Sequence, residues 1–151
     1  SKEKKMGMFD FLKNVGASVF GIGKNEAEEI EKLLKNDLGN KLTDLKVQFD
    51  NGVVTLTGRA DSYATKEKAV LLAGNIKGVE RVNDLGLLAP QPVEETEFYT
   101  IKKGDSLSKI DKVYYGNAMK YPVIFEANRE VIKDADLIYP GQVIRIPKVA
   151  K

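Results

Sequence analysis

The stretch Gly74-Asn75-Ile76-Lys77-Gly78-Val79 lies where an apolar, alanine-containing helical pattern ends and a strand pattern begins. It carries no catalytic side chain. The end of a helix, however, leaves backbone carbonyls without an intrahelical partner, at the negative end of the helix dipole. Turns with a glycine at each end are mostly ordinary helix caps. The functional alternative is that the carbonyl oxygens of Gly74, Ile76 and Val79 point to one side and bind a bare monovalent cation.

Outward from this turn, the sequence predicts a domain with the order helix, strand, strand, helix, strand. Asn25 and Glu28 form a capping box that opens the first helix, and Gly39 ends it. Asn51-Gly52 lies between two runs of alternating apolar and polar residues, which is typical of a β-hairpin. Ser62 caps the second helix, and the third strand follows the turn. We assign this unit to residues 25–89.

Residues 1–24 are predicted to be an extension that contains an amphipathic helix. Its apolar residues recur at helical spacing, and the glycines from Gly16 onward are expected to end it. We favour a helix docked on its own domain over a membrane-surface anchor, because the polar face has few lysines and arginines. The apolar stripe consists of Met8, Phe11, Leu12, Val15 and Val19.

A second unit is predicted over residues 97–148, after a short proline-containing linker at residues 90–96 and before a tail at residues 149–151. Its order is strand, helix, helix, strand. The whole chain is therefore expected to have an α+β fold made of an N-terminal helix, an αββαβ domain and a βααβ domain.

The composition excludes several functional classes. The chain has no cysteine and no histidine, which excludes disulfides, thiolate nucleophiles, Cys/His zinc sites and histidine-dependent triads. Its 24 basic and 22 acidic residues are interleaved, which disfavours nucleic-acid binding. No nucleophile has a visible base, so we expect no enzyme. No apolar run is long enough to span a membrane, and we expect a monomeric, cytoplasmic protein.

Residues 97–148 resemble a LysM domain in five motifs, and residues 25–89 resemble, more loosely, a BON domain. The LysM motifs are Tyr99-Thr100-Ile101-Lys102-Lys103-Gly104-Asp105-Ser106-Leu107, Tyr115-Gly116, Ala127-Asn128, Ile138-Tyr139-Pro140-Gly141-Gln142 and Ile144-Arg145-Ile146-Pro147. The BON resemblance lies in the element order and in Gly52, Val54, Leu56, Gly58 and residues 74–82. With residues 6–16 in front, the chain from Met6 onward resembles the small bacterial BON-LysM potassium-binding proteins.

This resemblance implies a cytoplasmic potassium sensor in which K⁺ binding couples the two domains by a conformational change. Potassium is typically matched by neutral carbonyl oxygens, so its site leaves no side-chain signature. The turn offers the carbonyls of Gly74, Ile76 and Val79. The end of the N-terminal helix is expected to offer those of Leu12, Val15 and Ala17. Acidic side chains nearby, at Asp10, Glu80 and Asp84, are candidates for long-range attraction.

Two other interpretations stay open. In LysM domains that bind N-acetylglucosamine polymers such as peptidoglycan, the groove lies between two loops, which here are Gly104-Asp105-Ser106 and Ile138-Tyr139-Pro140. The plainer interpretation is that Asp105 or Ser106 caps a helix and that Tyr139 packs in the core. The same groove is the expected surface for a protein partner. The BON resemblance also leaves a phospholipid surface as an alternative partner.

Overall fold

The computed structural model describes residues 8–16, 18–20, 25–92, 95–117 and 121–148. Within these residues the elements are, in chain order, β1 (Met8–Asp10), α1 (Glu26–Leu38), β2 (Leu42–Asp50), β3 (Val53–Ala60), α2 (Tyr63–Gly74), β4 (Arg81–Leu88), β5 (Thr96–Thr100), α3 (Leu107–Tyr115), α4 (Tyr121–Ala127) and β6 (Val143–Pro147). The predicted α+β class and the αββαβ and βααβ orders are confirmed. The chain divides into two compact units, the first ending at Gln91 and the second starting at Pro92.

The first unit is a four-stranded sheet with the order β1-β4-β3-β2. Strands β2 and β3 form the predicted hairpin, in which Asp50 pairs with Val53. The two turn residues, Asn51 and Gly52, have φ values of 54° and 82°. Positive φ at both positions is the type I′ turn that matches the twist of the flanking strands. Strand β4 pairs with β3 in parallel, so α2 forms the connection between them.

Local capping decides where the two helices of this unit begin. The Asn25 side chain accepts a hydrogen bond from the Glu28 N–H at 3.0 Å. The Ser62 hydroxyl accepts one from the Thr65 N–H at 3.1 Å. Each bond satisfies a backbone donor that the first turn of a helix leaves without a partner. The helices then contribute their buried face to a core that includes Ile30, Leu34, Leu38, Val54, Leu56, Val70, Leu71, Val82 and Leu87.

The prediction of an N-terminal helix is wrong for the described residues. Residues Met8–Asp10 form an edge strand that pairs antiparallel with β4, with Phe9 opposite Val82. The apolar stripe is not one face, because Phe11 is 9% exposed whereas its neighbour Leu12 is 53% exposed. A short helix is marginal in isolation, and the open edge of β4 offers backbone hydrogen bonds instead. Residues 1–7 and 21–24 lie outside the described part of the chain.

The second unit pairs β5 with β6 in an antiparallel ladder, in which Phe98 lies opposite Arg145. Helices α3 and α4 pack on this ladder around a core of Ile101, Leu107, Ile110, Ile124, Ile132, Ile144 and Ile146. A buried amide ties β6 to the end of α4. Asn128 Nδ2 donates to the Ile124 and Arg145 carbonyls at 2.8 Å each, and its Oδ1 accepts from the Arg145 N–H at 2.8 Å.

Candidate functional site

The turn after α2 is held by short-range backbone hydrogen bonds. The Asn75 N–H donates to Leu71 O at 2.9 Å, and the Val79 N–H donates to Ile76 O at 3.1 Å. Ile76 and Val79 direct their side chains into the core, where they are 1% and 0% exposed. Gly78 has a φ of 103°, a backbone conformation that residues with a side chain rarely adopt. The backbone of this turn is therefore held in place, and two of its side chains are buried in the core.

The N-terminal segment lies directly against this turn. The Phe11 N–H donates to Glu80 O at 2.9 Å, and the Gly78 N–H donates to Lys13 O at 2.6 Å. Gly16, with a φ of 118°, is packed so tightly that a Cβ there would overlap the carbonyl oxygen of Asn75 and come within 2.8 Å of its carbonyl carbon. The two backbones thus approach each other more closely than any residue other than glycine permits.

Two aromatic rings accompany this backbone contact. The ring of Phe11 occupies the space that a Cβ at Gly74 would take. The Phe20 ring approaches the other glycine of the turn, Gly78, where a Cβ would be 3.4 Å from a ring carbon. Phe20 also packs on Phe49 of β2, with 5.4 Å between the ring centroids. Both glycines of the turn are therefore contact surfaces for aromatic residues that precede α1.

Five of the six predicted cation ligands belong to two segments that lie against each other in the structure. Leu12 and Val15 lie in the segment that packs on the turn, while Gly74, Ile76 and Val79 belong to the α2 end and the turn itself. Ala17 lies outside the described residues. Leu12 O accepts a long bond of 3.3 Å from the Val15 N–H. A carbonyl oxygen has two lone pairs, so such a bond leaves one for a ligand.

The acidic residues near the turn each have a basic side chain beside them. In the described parts of the chain, each of the three candidate carboxylates faces a basic side chain, and no group of three or more acidic residues is placed to hold a metal ion. Backbone carbonyl oxygens suit a weakly hydrated monovalent cation, whereas a hard divalent ion prefers carboxylates. The pairs are Asp10 with Arg81 at 2.9 Å, Glu80 with Lys13 at 4.0 Å and Asp84 with Lys66 at 3.9 Å.

Sequence reasoning does not identify Phe11 and Gly16 as parts of this arrangement. Their spacing in the sequence predicts a helical stripe for Phe11 and a helix end for Gly16, whereas the structure places both against the turn. The glycines at Gly16, Gly21 and Gly23 are the signal that could have indicated this arrangement. They fit a short edge strand followed by a glycine-rich segment as well as they fit the end of a helix.

In the second unit, the two loops of the predicted glycan groove lie close together. The Ile101 N–H donates to Gln142 O, and the Gly141 N–H donates to Ile101 O, each at 2.8 Å. These bonds place the start of the Gly104 loop beside the end of the Pro140 loop. Gly104 has a φ of 88°, and nothing lies within 4 Å of its hypothetical Cβ.

Most of the predicted groove residues have a structural role. The Ser106 hydroxyl caps α3 by accepting from the Lys109 N–H at 3.2 Å. The Asp105 carboxylate accepts from the Tyr99 hydroxyl at 2.6 Å and from the Lys102 N–H at 2.8 Å. These bonds lower the pKa of Asp105, and the Tyr99 hydroxyl bond is the larger cause. Burial, followed by the bond to Asp105, raises the pKa of Tyr99 to about 12.

The second loop contributes one exposed residue to the groove. Ile138 packs against the core of the second unit. Tyr139 is half-buried, and burial raises the pKa of its hydroxyl. Pro140 is exposed. The apolar surface expected from Tyr139 is therefore reduced, because part of the ring faces the protein.

Asp111 is a buried carboxyl group that the sequence does not single out. It lies on α3 and is 0% exposed. Within the described residues, neither of its oxygens has a hydrogen-bond partner. Burial raises its pKa to about 6, since a charged carboxylate is poorly tolerated without solvent or a partner.

Comparison with known proteins matches both units. The BON domain model matches residues 25–86, and the LysM domain model matches residues 99–147. The chain is 38% identical over 149 residues to the potassium binding protein Kbp of Escherichia coli O6:H1, a match that covers 95% of this chain and 99% of that protein. The chain belongs to the Kbp-like BON-LysM family. An uncharacterized protein of Deinococcus radiodurans is 36% identical over 146 residues, which cover 56% of that longer relative.

Membership of the Kbp-like family accounts for the order of the two units. The BON match contains α1, β2, β3, α2 and nearly all of β4, and the LysM match runs from the end of β5 to the end of β6. Strand β1 and the segment up to Phe20 lie outside the BON match. No helix in the described residues has the length and hydropathy needed to cross a membrane.

Proposed function

We propose that this protein binds potassium through backbone carbonyls contributed by the N-terminal segment and by the turn after α2. The observation that carries the proposal is the backbone contact between these two segments, in which Gly16 lies against the Asn75 carbonyl and Gly78 donates to Lys13 O. The similarity to a protein named for potassium binding supports it. The proposed ligands are the carbonyl oxygens of Leu12, Val15, Ala17, Gly74, Ile76 and Val79.

Electrostatics favours a cation at this position for two reasons. The turn follows the C-terminus of α2, where the helix dipole places partial negative charge. Carbonyl dipoles also replace the hydration shell of K⁺, which gives up its water more readily than a small divalent ion does. Since the nearby carboxylates are paired with lysine or arginine, the carbonyls are the principal source of attraction.

The closed arrangement of the two segments is the binding-competent form. The N-terminal segment is attached by a three-residue strand and a few backbone bonds, so its docking is expected to be an equilibrium. A ligand shifts such an equilibrium only by its higher affinity for the closed form. We propose that potassium stabilises docking and that this change couples the two units in a cytoplasmic ion sensor.

The test compares potassium chloride with sodium chloride at equal ionic strength. Binding to the closed form predicts a higher melting temperature and a smaller radius of gyration in potassium. Indistinguishable melting curves and scattering profiles in the two salts would contradict the proposal. Fractionation of cells that express the full-length protein would test its cytoplasmic location.

Peptidoglycan binding is the alternative function, supported by the LysM match and by the backbone bonds that join its two loops. The exposed Pro140 and the open space at Gly104 favour it, whereas the internal bonds of Asp105 and Ser106 do not. A pull-down on insoluble peptidoglycan distinguishes the two functions. Retention of the protein there, without any response to potassium, would favour the alternative.

A further inference from the structure

Phe11 contacts the other half of the candidate site through both its backbone and its ring. Its backbone N–H bonds to Glu80 O at 2.9 Å, and its ring lies on Gly74, the last residue of α2. The residues on either side, Asp10 and Leu12, are exposed. The ring is therefore the apolar anchor of a segment whose neighbouring side chains face solvent.

The ring fits against Gly74 because this residue has no side chain. Its backbone is helical, so a glycine is not needed for its conformation. A Cβ there would overlap three atoms of the Phe11 ring. Glycine in a helix costs stability relative to alanine, so its presence at the end of α2 is explained by this close approach.

We propose that Phe11 is a positioning residue for the cation site, since its ring on Gly74 sets the separation between the N-terminal carbonyls and those of the turn. The inference rests on the proposed potassium binding and deepens it. Phe11 is not itself a ligand, because its side chain offers no oxygen. Its ring acts by holding the backbone of the N-terminal segment in place. Weaker docking lowers the fraction of binding-competent molecules, and the apparent affinity falls by the same factor.

The experiment is a double-mutant cycle on the full chain, with potassium affinity measured by calorimetry. Phe11→Ala and Gly74→Ala each remove the ring contact, the first by deleting the ring and the second by displacing it. Each is expected to weaken potassium binding by about tenfold. In the double variant the alanine methyl fills space that the ring has left, so Gly74→Ala has little further effect in the Phe11→Ala background.

The controls separate positioning from general destabilisation. Leu85→Ala removes an apolar side chain that is 59% exposed on β4 and should leave potassium affinity unchanged. Phe11→Leu keeps an apolar group and should recover part of the affinity, which provides a milder variant if Phe11→Ala folds poorly. Hydrogen exchange at the Gly78 amide, which donates to Lys13 O, should be faster in Gly74→Ala without potassium and return to wild-type rates at saturation.

Two results would overturn the inference while the proposed function stands. The first is wild-type affinity in Phe11→Ala. The second is an equal loss from Gly74→Ala in both backgrounds, which would show that the methyl acts on the Gly74 backbone and not through the ring. If the wild-type chain itself binds no potassium, the proposed function fails, and the inference fails with it.

Discussion

Replacing Asp111 with asparagine is expected to stabilise the second unit, and the gain should depend on pH. The asparagine side chain has nearly the same shape as a protonated aspartic acid but cannot ionise. Asp111 is fully buried, and neither of its oxygens has a hydrogen-bond partner in the described parts of the chain. Ionisation in the folded state is therefore unfavourable, and this cost disappears in the variant.

The magnitude follows from the raised pKa. Burial moves the pKa of Asp111 from 3.8 to about 6. The folded state thus holds the proton more tightly than the unfolded state does, so the free energy of unfolding falls as the pH rises through this interval and then levels off. At about 1.4 kcal/mol per pKa unit, the full loss above about pH 6 is on the order of 3 kcal/mol.

Urea unfolding followed by tyrosine fluorescence measures this effect. The chain has no tryptophan, and five of its six tyrosines, all except Tyr63, lie in the second unit. The difference between Asp111→Asn and wild type should be within about 1 kcal/mol near pH 4 and should approach about 3 kcal/mol near pH 8. As a control, Asp136→Asn changes an exposed carboxylate and should stay within about 0.5 kcal/mol of wild type throughout.

A difference that does not vary with pH would refute this reasoning, because it would mean that Asp111 does not ionise at the expense of folding. A variant less stable than wild type at high pH would refute it as well, since it would show that the charged carboxylate has a favourable partner.

Two further substitutions test the site and the core. Gly16→Ala introduces a Cβ against the Asn75 carbonyl at a φ of 118°, so it should cost about 2 kcal/mol and abolish the extra thermal stability in potassium over sodium. Gly104→Ala, at a φ of 88° but in open space, is the matched control and should retain that response. Asn128→Ala removes three buried hydrogen bonds, one to Ile124 O and two to the Arg145 backbone, and should cost about 3 kcal/mol in urea unfolding. A cost below about 1 kcal/mol would contradict the role given to this amide.

The elements with strong local signals could be predicted from the sequence. Asn25 and Ser62 cap helices through their own side chains, and Asn51-Gly52 supplies the two positive φ values of the hairpin turn. Each of these signals acts over a few residues, so the tertiary structure is not needed to interpret it. In the second unit, Ser106 caps α3 and Pro140-Gly141 forms the turn before β6, so local signals of the same kind predict where these elements begin.

Strand β1 could not be predicted, because its conformation depends on a distant partner. The spacing of Phe11, Leu12 and Val15 is typical of a helix, and only the free edge of β4 makes a strand favourable at Met8–Asp10. Nonlocal pairing of this kind overrides a weak local pattern. The burial of Phe11 likewise depends on a distant residue, Gly74 at the end of α2.

Only part of the candidate site can be predicted from the sequence. A backbone carbonyl carries no residue-type signal, so the sequence indicates residues 12–17 and 74–79 only as helix ends with unpaired carbonyls, and the resemblance to a known family is what implies potassium. The structure brings the described parts of these segments into backbone contact, while the individual ligands stay a prediction. The burial of Asp111 was missed because a charged residue in an amphipathic helix is usually solvated.

Calorimetric titration of potassium and of sodium into desalted full-length protein tests the central proposal most directly. If carbonyls from the N-terminal segment and the α2 turn enclose a monovalent cation, potassium binding should saturate and sodium should give a much weaker signal. Gly16→Ala should lose the potassium signal under the same conditions. The absence of saturable potassium binding by the wild-type protein would contradict the account. So would a Gly16→Ala variant that binds potassium and sodium as the wild-type protein does.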